Sequence, residues 1–169
     1  QEYGALCVQQ AGETVETLRY NVIKGGTNVI YANDDGTPVR SEVVSTISLA
    51  LVQKATTSLL SQRAKYITEI VSSDARSRTE PIEAAFVALI HPHLVSDVRR
   101  IDGFIPTKLY GSVSPWTNEV GSVEDVRFVR SVLFTPFADA GGAKGVMRST
   151  TGTSADVYPV LIIARDAFG

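Results

Sequence analysis

Several features that carry function in other chains are scarce or missing here. There is a single cysteine, Cys7, so no intramolecular disulfide can form and the fold does not depend on an oxidising compartment. The longest uninterrupted apolar runs are VLII (160–163) and AAFVALI (84–90). Both are far short of the roughly 20 residues that span a bilayer as a helix, and no membrane partner is expected. Charge of one sign never accumulates: 16 Lys and Arg face 18 Asp and Glu, a net charge of −2. A chain that wraps or reads nucleic acid usually shows a basic excess or stripe, so any contact with DNA is expected to be local and weak. Motifs of catalysis are also missing. No G-x-S-x-G elbow positions a nucleophile, and the one lysine-bearing glycine cluster, GGAKG (141–145), lacks the spacing and the hydroxyl of a phosphate-binding P-loop.

What the sequence has is globular composition, 44% hydrophobic and 20% charged over 169 residues, enough for one sizeable core. Apolar residues at Cys7/Val8, Ala11, Val15, Leu18 and Val22 alternate by three and four, which predicts a first helix ended by Gly25-Gly26 in a left-handed cap. Cys7 is expected to be a small buried hydrophobe on that stripe. TNVIYA (27–32) predicts a short strand, and NDDGTP (33–38) a turn. Val44, Ile47, Leu51, Ala55 and Leu59 predict a second helix from about Glu42 to Lys65. SSDARSRTEP (72–81) reads as a polar loop closed by Pro81, and AAFVALI as an interior strand. HPHLVSDVRRI (91–101) predicts a helix with Pro92 at its start, 102–122 a long loop, VRFVRSVLF (126–134) a strand, and DVYPVLIIARDAFG (156–169) a buried strand at its centre. The order is α+β, with a change near Ser73 to Pro81 from a helical part (1–80) to a sheet-centred part (81–169).

Candidate chemistry is thin. His91 and His93 flank Pro92, but two ligands do not make a metal site, which needs three or four. Glu119, Glu124, Asp34 and Asp35 read as solvated loop charges, and Asp97, Arg99, Arg100 and Asp102 as surface helix pairing, with an inter-subunit salt bridge as the alternative. Trp116, alone in its kind and set in a polar loop, either folds back on its own domain or anchors a neighbour. No catalytic, cofactor-binding or metal-binding residue is assigned.

Five stretches in order, GGTNVIYAN (25–33), TEPIEAAFVALIHPHLVSDVRRIDGFIP (79–106), NEVGSVEDVRFVRS (118–131), PFADAGG (136–142) and DVYPVLIIARDAFG (156–169), resemble the blocks of a major capsid protein family of tailed bacteriophages. Two positions depart from the family pattern: His93 stands where an aspartate follows HP, and Asn118 where a glycine precedes EVG. The resemblance implies the tailed-phage capsid fold: a peripheral domain with a long spine helix and narrow sheet, and an axial domain with a mixed sheet beginning near Ala84. It also implies an N-terminal arm before Gln1 and further chain after Gly169. By that resemblance the chain is no enzyme. It would assemble with itself into the pentamers and hexamers of an icosahedral shell enclosing double-stranded DNA, with scaffolding and portal proteins as further partners. Its place would be the virion, and the host cytoplasm during assembly. Trp116, Arg127, Arg130 and Lys144 are the candidate subunit-interface residues. Two alternatives stand beside this: a nanocompartment shell protein of the same fold, and a small ligand-binding or metal-dependent domain using the histidine pair or the GGAKG loop.

Overall fold

The computed structural model describes residues 2–33, 39–71, 79–111 and 116–167. In chain order they form helix α1 (Glu2–Lys24), α2 (Leu49–Ser61), strands β1 (Ile67–Val71) and β2 (Thr79–Ile90), the short helix α3 (Val95–Val98), and β3 (Ile105–Pro106), β4 (Glu119–Val123), β5 (Val126–Arg130) and β6 (Leu161–Ile163). This is a mixed α+β architecture.

β2 is the organising strand. Its first half pairs antiparallel with β1, and its second half pairs parallel with β5 and antiparallel with β6. From β5 the sheet runs outward through β4 to β3, giving the order β1-β2-β5-β4-β3 with β6 on the other side of β2. The parallel register aligns Phe86 with Val126 and Ala88 with Phe128. Side chains of period two therefore put these four on one face. That face packs on Val52 of α2, Val98 of α3 and Ile101 to make the core. Phe86, Ala88, Ile90, Val98, Val123, Val126 and Phe128 are all fully buried. The expected division near Ser73 to Pro81 falls at the β1–β2 pair, and α2 from the first part shares this core with the strands of the second.

Several expectations are corrected. Residues 27–32 join no strand: Thr27 bends, with the Val29 N–H on its carbonyl at 3.1 Å, although the Ser45 N–H reaches the Ala32 carbonyl at 3.2 Å. Gly25 and Gly26 follow α1 without entering the left-handed region. The second helix is shorter than Glu42–Lys65: a 3₁₀ turn covers Arg40–Glu42, the β-branched run 43–47 stays non-helical, and α2 starts after Ser48 in extended geometry. It stops because Arg63 turns left-handed (φ +61°), so that the N–H of Ala64 bonds Leu59 and that of Arg63 bonds Leu60. This is a Schellman closure, with arginine where glycine is usual. β1 and β4 were not expected as strands, and Pro81 lies inside β2 opposite Glu69, beside a register irregularity. The helix foreseen at 91–101 is a 3₁₀ turn (Pro92–Leu94) and one turn of α3. β5 ends at Arg130, short of Phe134, and β6 is half-buried. The predicted turn at 34–38 and most of the polar loop (72–78) lie outside the described residues.

The departure at Asn118 has a backbone reason. Its φ is +64°, a conformation natural to glycine that asparagine tolerates better than most L-residues. Gly141 and Gly142 serve close approach: a β-carbon on Gly141 would sit 3.0 Å from the carbonyls of Ala155 and Val43, and one on Gly142 would sit 2.7 Å from Val44 Cγ1. The loop is clamped there by Gly142 N–H to Val43 and by paired bonds between 141–142 and Ala155.

Candidate functional site

Three places bear on function, and the first is buried. β4 and β5 form a tight hairpin through Glu124 and Asp125, and an irregularity between Glu119 and Gly121 shifts the register. Glu119 faces Val129 across the hairpin, so it lies diagonal to Arg127 on the face opposite Phe128. Arg127 Nε donates to Glu119 Oε1 at 2.8 Å with side chains 3% and 0% exposed. Tyr110 Oη donates to the same oxygen at 2.7 Å, and the Trp116 backbone N–H to Oε2 at 2.7 Å. The Arg127 guanidinium stands 5.4 Å from the Tyr110 ring and 5.5 Å from the Trp116 ring. Burial pushes the Tyr110 hydroxyl up to about 12, with Glu119 adding to the rise and Ser122 working against it. The cluster ties Tyr110 and Trp116 to the sheet.

Of the four candidate interface residues, Trp116 and Arg127 thus meet inside the chain. Arg127 is not on the surface of this chain, and Trp116 is half-buried, its Nε1 enclosed without a hydrogen-bond partner among the described residues. Arg130 is exposed at the end of β5, and Lys144 is exposed in a different region. Glu119, read as a solvated charge, is the centre of the cluster. A signal for it was present: opposite charges eight residues apart, straddling a two-residue turn. Glu124 is exposed and accepts from Gln53 Nε2 at 2.7 Å, while Asp97 and Arg100 pair loosely at 3.8 Å.

The second place is a cleft of about 560 Å³ between the 91–93 turn and the 144–150 loop, which brings Lys144 to His91, His93 and Tyr158. The loop is shaped by two carboxylates. Asp156 accepts from the N–H groups of Asp139 and Thr150, and Asp139 from Ser149 Oγ and the Thr151 N–H. These bonds hold the Asp139 carboxyl below its usual range, the Thr151 N–H foremost. Among the described residues no group of three or more His, Cys, Asp or Glu is arranged to hold a metal ion.

The third place is α1. Only its last turns pack: Tyr20 is 2% exposed, its hydroxyl donates to the Thr135 carbonyl at 2.8 Å, and its ring lies 4.9 Å from Phe134. Lys24 Nζ donates to the same carbonyl at 2.9 Å, and lies with Arg40 within 4 Å of the centre of the Phe137 ring (3.9 and 3.6 Å). Burial, then the Arg40 charge, lowers the Lys24 pKa. The apolar stripe read from the sequence is not the packed face. Leu18 and Val22 each lie two positions from Tyr20, roughly 160° around the helix, and are 61% and 79% exposed. Cys7 is exposed too, against expectation. No helix among the described residues is long and apolar enough to cross a membrane. Set against protein-family models and against characterised proteins, the chain matches none of them.

Proposed function

We propose that the chain is a self-assembling shell subunit, a major capsid protein of the tailed-phage type that builds pentamers and hexamers around double-stranded DNA. The observation that carries this reading is α1. A helix of 23 residues, about 35 Å long at 1.5 Å per residue, exposes Tyr3, Leu6, Val8, Val15, Leu18 and Val22 while burying only Tyr20. Gly4 and Gly12 sit in it with open space where a side chain would be, and each weakens a helix by about 1 kcal/mol relative to alanine. Packing among the described residues does not account for its first four turns, and the exposed apolar stripe of Val8, Val15, Leu18 and Val22 on one side of it reads as an interaction surface. A second copy is the partner that the order of the five capsid-like blocks suggests. The loops of 131–160 add contacts of modest size, and many such contacts per subunit cooperate. The near-neutral charge suits a container, since strong attraction would hold DNA to its wall.

Negative-stain electron microscopy of the full-length protein tests the reading. Closed shells or capsomer rings are expected. A strict monomer at high concentration, stabilised by nucleotide or metal, would overturn it.

A further inference from the structure

The histidine pair and the lysine of the glycine cluster lie some 50 residues apart in sequence and share one cleft. The rings of His91 and His93 are 4.4 Å apart between centroids, and His93 Nδ1 is 2.9 Å from the Tyr158 hydroxyl. His91 Nδ1 accepts the His93 backbone N–H at 3.1 Å, which places the proton of the neutral His91 ring on Nε2 as a donor. Lys144 and Arg148 line the same cleft, and among the described residues neither forms an ion pair. The carboxylate of the cleft, Asp156, is committed to its own loop through the Asp139 N–H (2.9 Å), the Thr150 N–H (3.0 Å) and the Thr150 hydroxyl (3.1 Å). Among the residues that line the cleft, two fixed cations stand against this one engaged carboxylate. The second carboxylate of the loop, Asp139, is turned away to Ser149 Oγ and the Thr151 N–H. Protonation of His91 adds to the positive side. Such a site repels metal ions and attracts anions.

We propose that this cleft binds a phosphate group, free or as a phosphodiester, through Lys144, Arg148 and the two imidazoles. Lysine and arginine give phosphate the strongest charge-assisted hydrogen bonds available to side chains. The volume of about 560 Å³ exceeds what the bare ion needs and leaves room for the group it is esterified to. The chemistry differs from a P-loop, because side-chain cations replace a backbone cradle. The site also gains affinity in acid. The His91 pKa is lowered by burial first, then by the His93 and Arg148 charges. A bound anion offsets those charges and favours the imidazolium, so binding takes up protons and tightens as pH falls. Lys144, Arg148, Asp156 and Tyr158 are the other charged or titratable groups lining the cleft, and on its other side His93 shares a cavity with Asp97 and Arg100.

The inference does not rest on the assembly reading, since equilibrium dialysis of the full-length protein reads it in any assembly state. The probes are radiolabelled inorganic phosphate and a 12-base-pair DNA duplex, whose diesters do not titrate. Saturable binding is expected, at least threefold tighter for the duplex at pH 6 than at pH 8. The variant K144A/R148A should lose about tenfold in affinity, and H91Q/H93Q should lose the pH dependence. All four residues are replaced on a rim that carries little of the core, and circular dichroism checks each fold. Saturation by both probes assigns a free phosphate site, and saturation by the duplex alone a phosphodiester site. The proposal fails if neither probe saturates, or if K144A/R148A binds as the parent does.

Discussion

Glu119 shows how much one residue decides. Its carboxylate is fully buried and accepts from Arg127, Tyr110 and the Trp116 backbone at once. Removing one partner of a buried pair leaves the other charge uncompensated, at a cost of about 3–5 kcal/mol. Glu119→Ala is therefore expected to lose that much stability in urea denaturation, whereas exposed Arg130→Ala should stay within about 0.5 kcal/mol. A loss below about 1 kcal/mol for Glu119→Ala would show that the cluster does not hold Tyr110 and Trp116 to the sheet. At this scale the sequence was only partly legible. Composition could not tell a loop glutamate from a buried one, because burial followed from a register irregularity in β4. Nor could it tell that Gly142 is required by the approach of Val44 (a β-carbon there would sit at 2.7 Å) and not by loop freedom.

At the scale of elements, periodicity found α1, α2, β2, β5 and β6 but erred on their ends and on which face of α1 is packed. The stripe from Cys7 to Val22 is real as a pattern, yet Tyr20 and Lys24 on another face make the contacts to Thr135. A hydrophobic stripe states that something must cover it and not that its own chain does. β1 and β4 escaped notice because ITEIV continues a helical-looking segment and EVGSV carries glycine and serine, so only the pairing partners reveal them. The consequence for α1 is testable. Val15→Asp with Leu18→Asp should abolish assembly in sedimentation and microscopy. The unfolding free energy of the dispersed chain should change by less than about 0.5 kcal/mol, as for surface substitutions generally. Equal damage to assembly and to chain stability would mean that the stripe serves folding.

Across the whole molecule, the α+β class was legible because the helical stripes of α1 and α2 precede the apolar runs of β2, β5 and β6, while the sheet order was not, since β2 exchanges partners midway. The pH range of stability is likewise a property of the whole. Burial pushes the hydroxyls of Tyr20, on α1, and Tyr110, beside the sheet, up to about 12. An unfolded tyrosine ionises near 10, so between about 10 and 12 the unfolded chain binds fewer protons than the folded one. Stability from these groups is thus complete below pH 10 and lost as pH rises toward 12. Lys24, lowered by burial and then by Arg40, works in the opposite sense just below its ordinary value of 10.5. On the acid side, His91 is lowered from 6.5, so its contribution is complete above that pH and falls as pH drops through the folded value. A plateau in the urea midpoint is expected between about pH 6.5 and 10, falling on both sides. Tyr20→Phe with Tyr110→Phe should flatten the alkaline limb, and His91→Gln should weaken the acid one. Phenolate absorbance gives an independent reading, with the parent retaining more un-ionised tyrosine at pH 11 than the double variant, in which Tyr66 and Tyr158 are still raised. An alkaline limb unchanged by the double variant would place its origin elsewhere and overturn the claim that the buried hydroxyls of Tyr20 and Tyr110 anchor α1 and the Glu119 cluster.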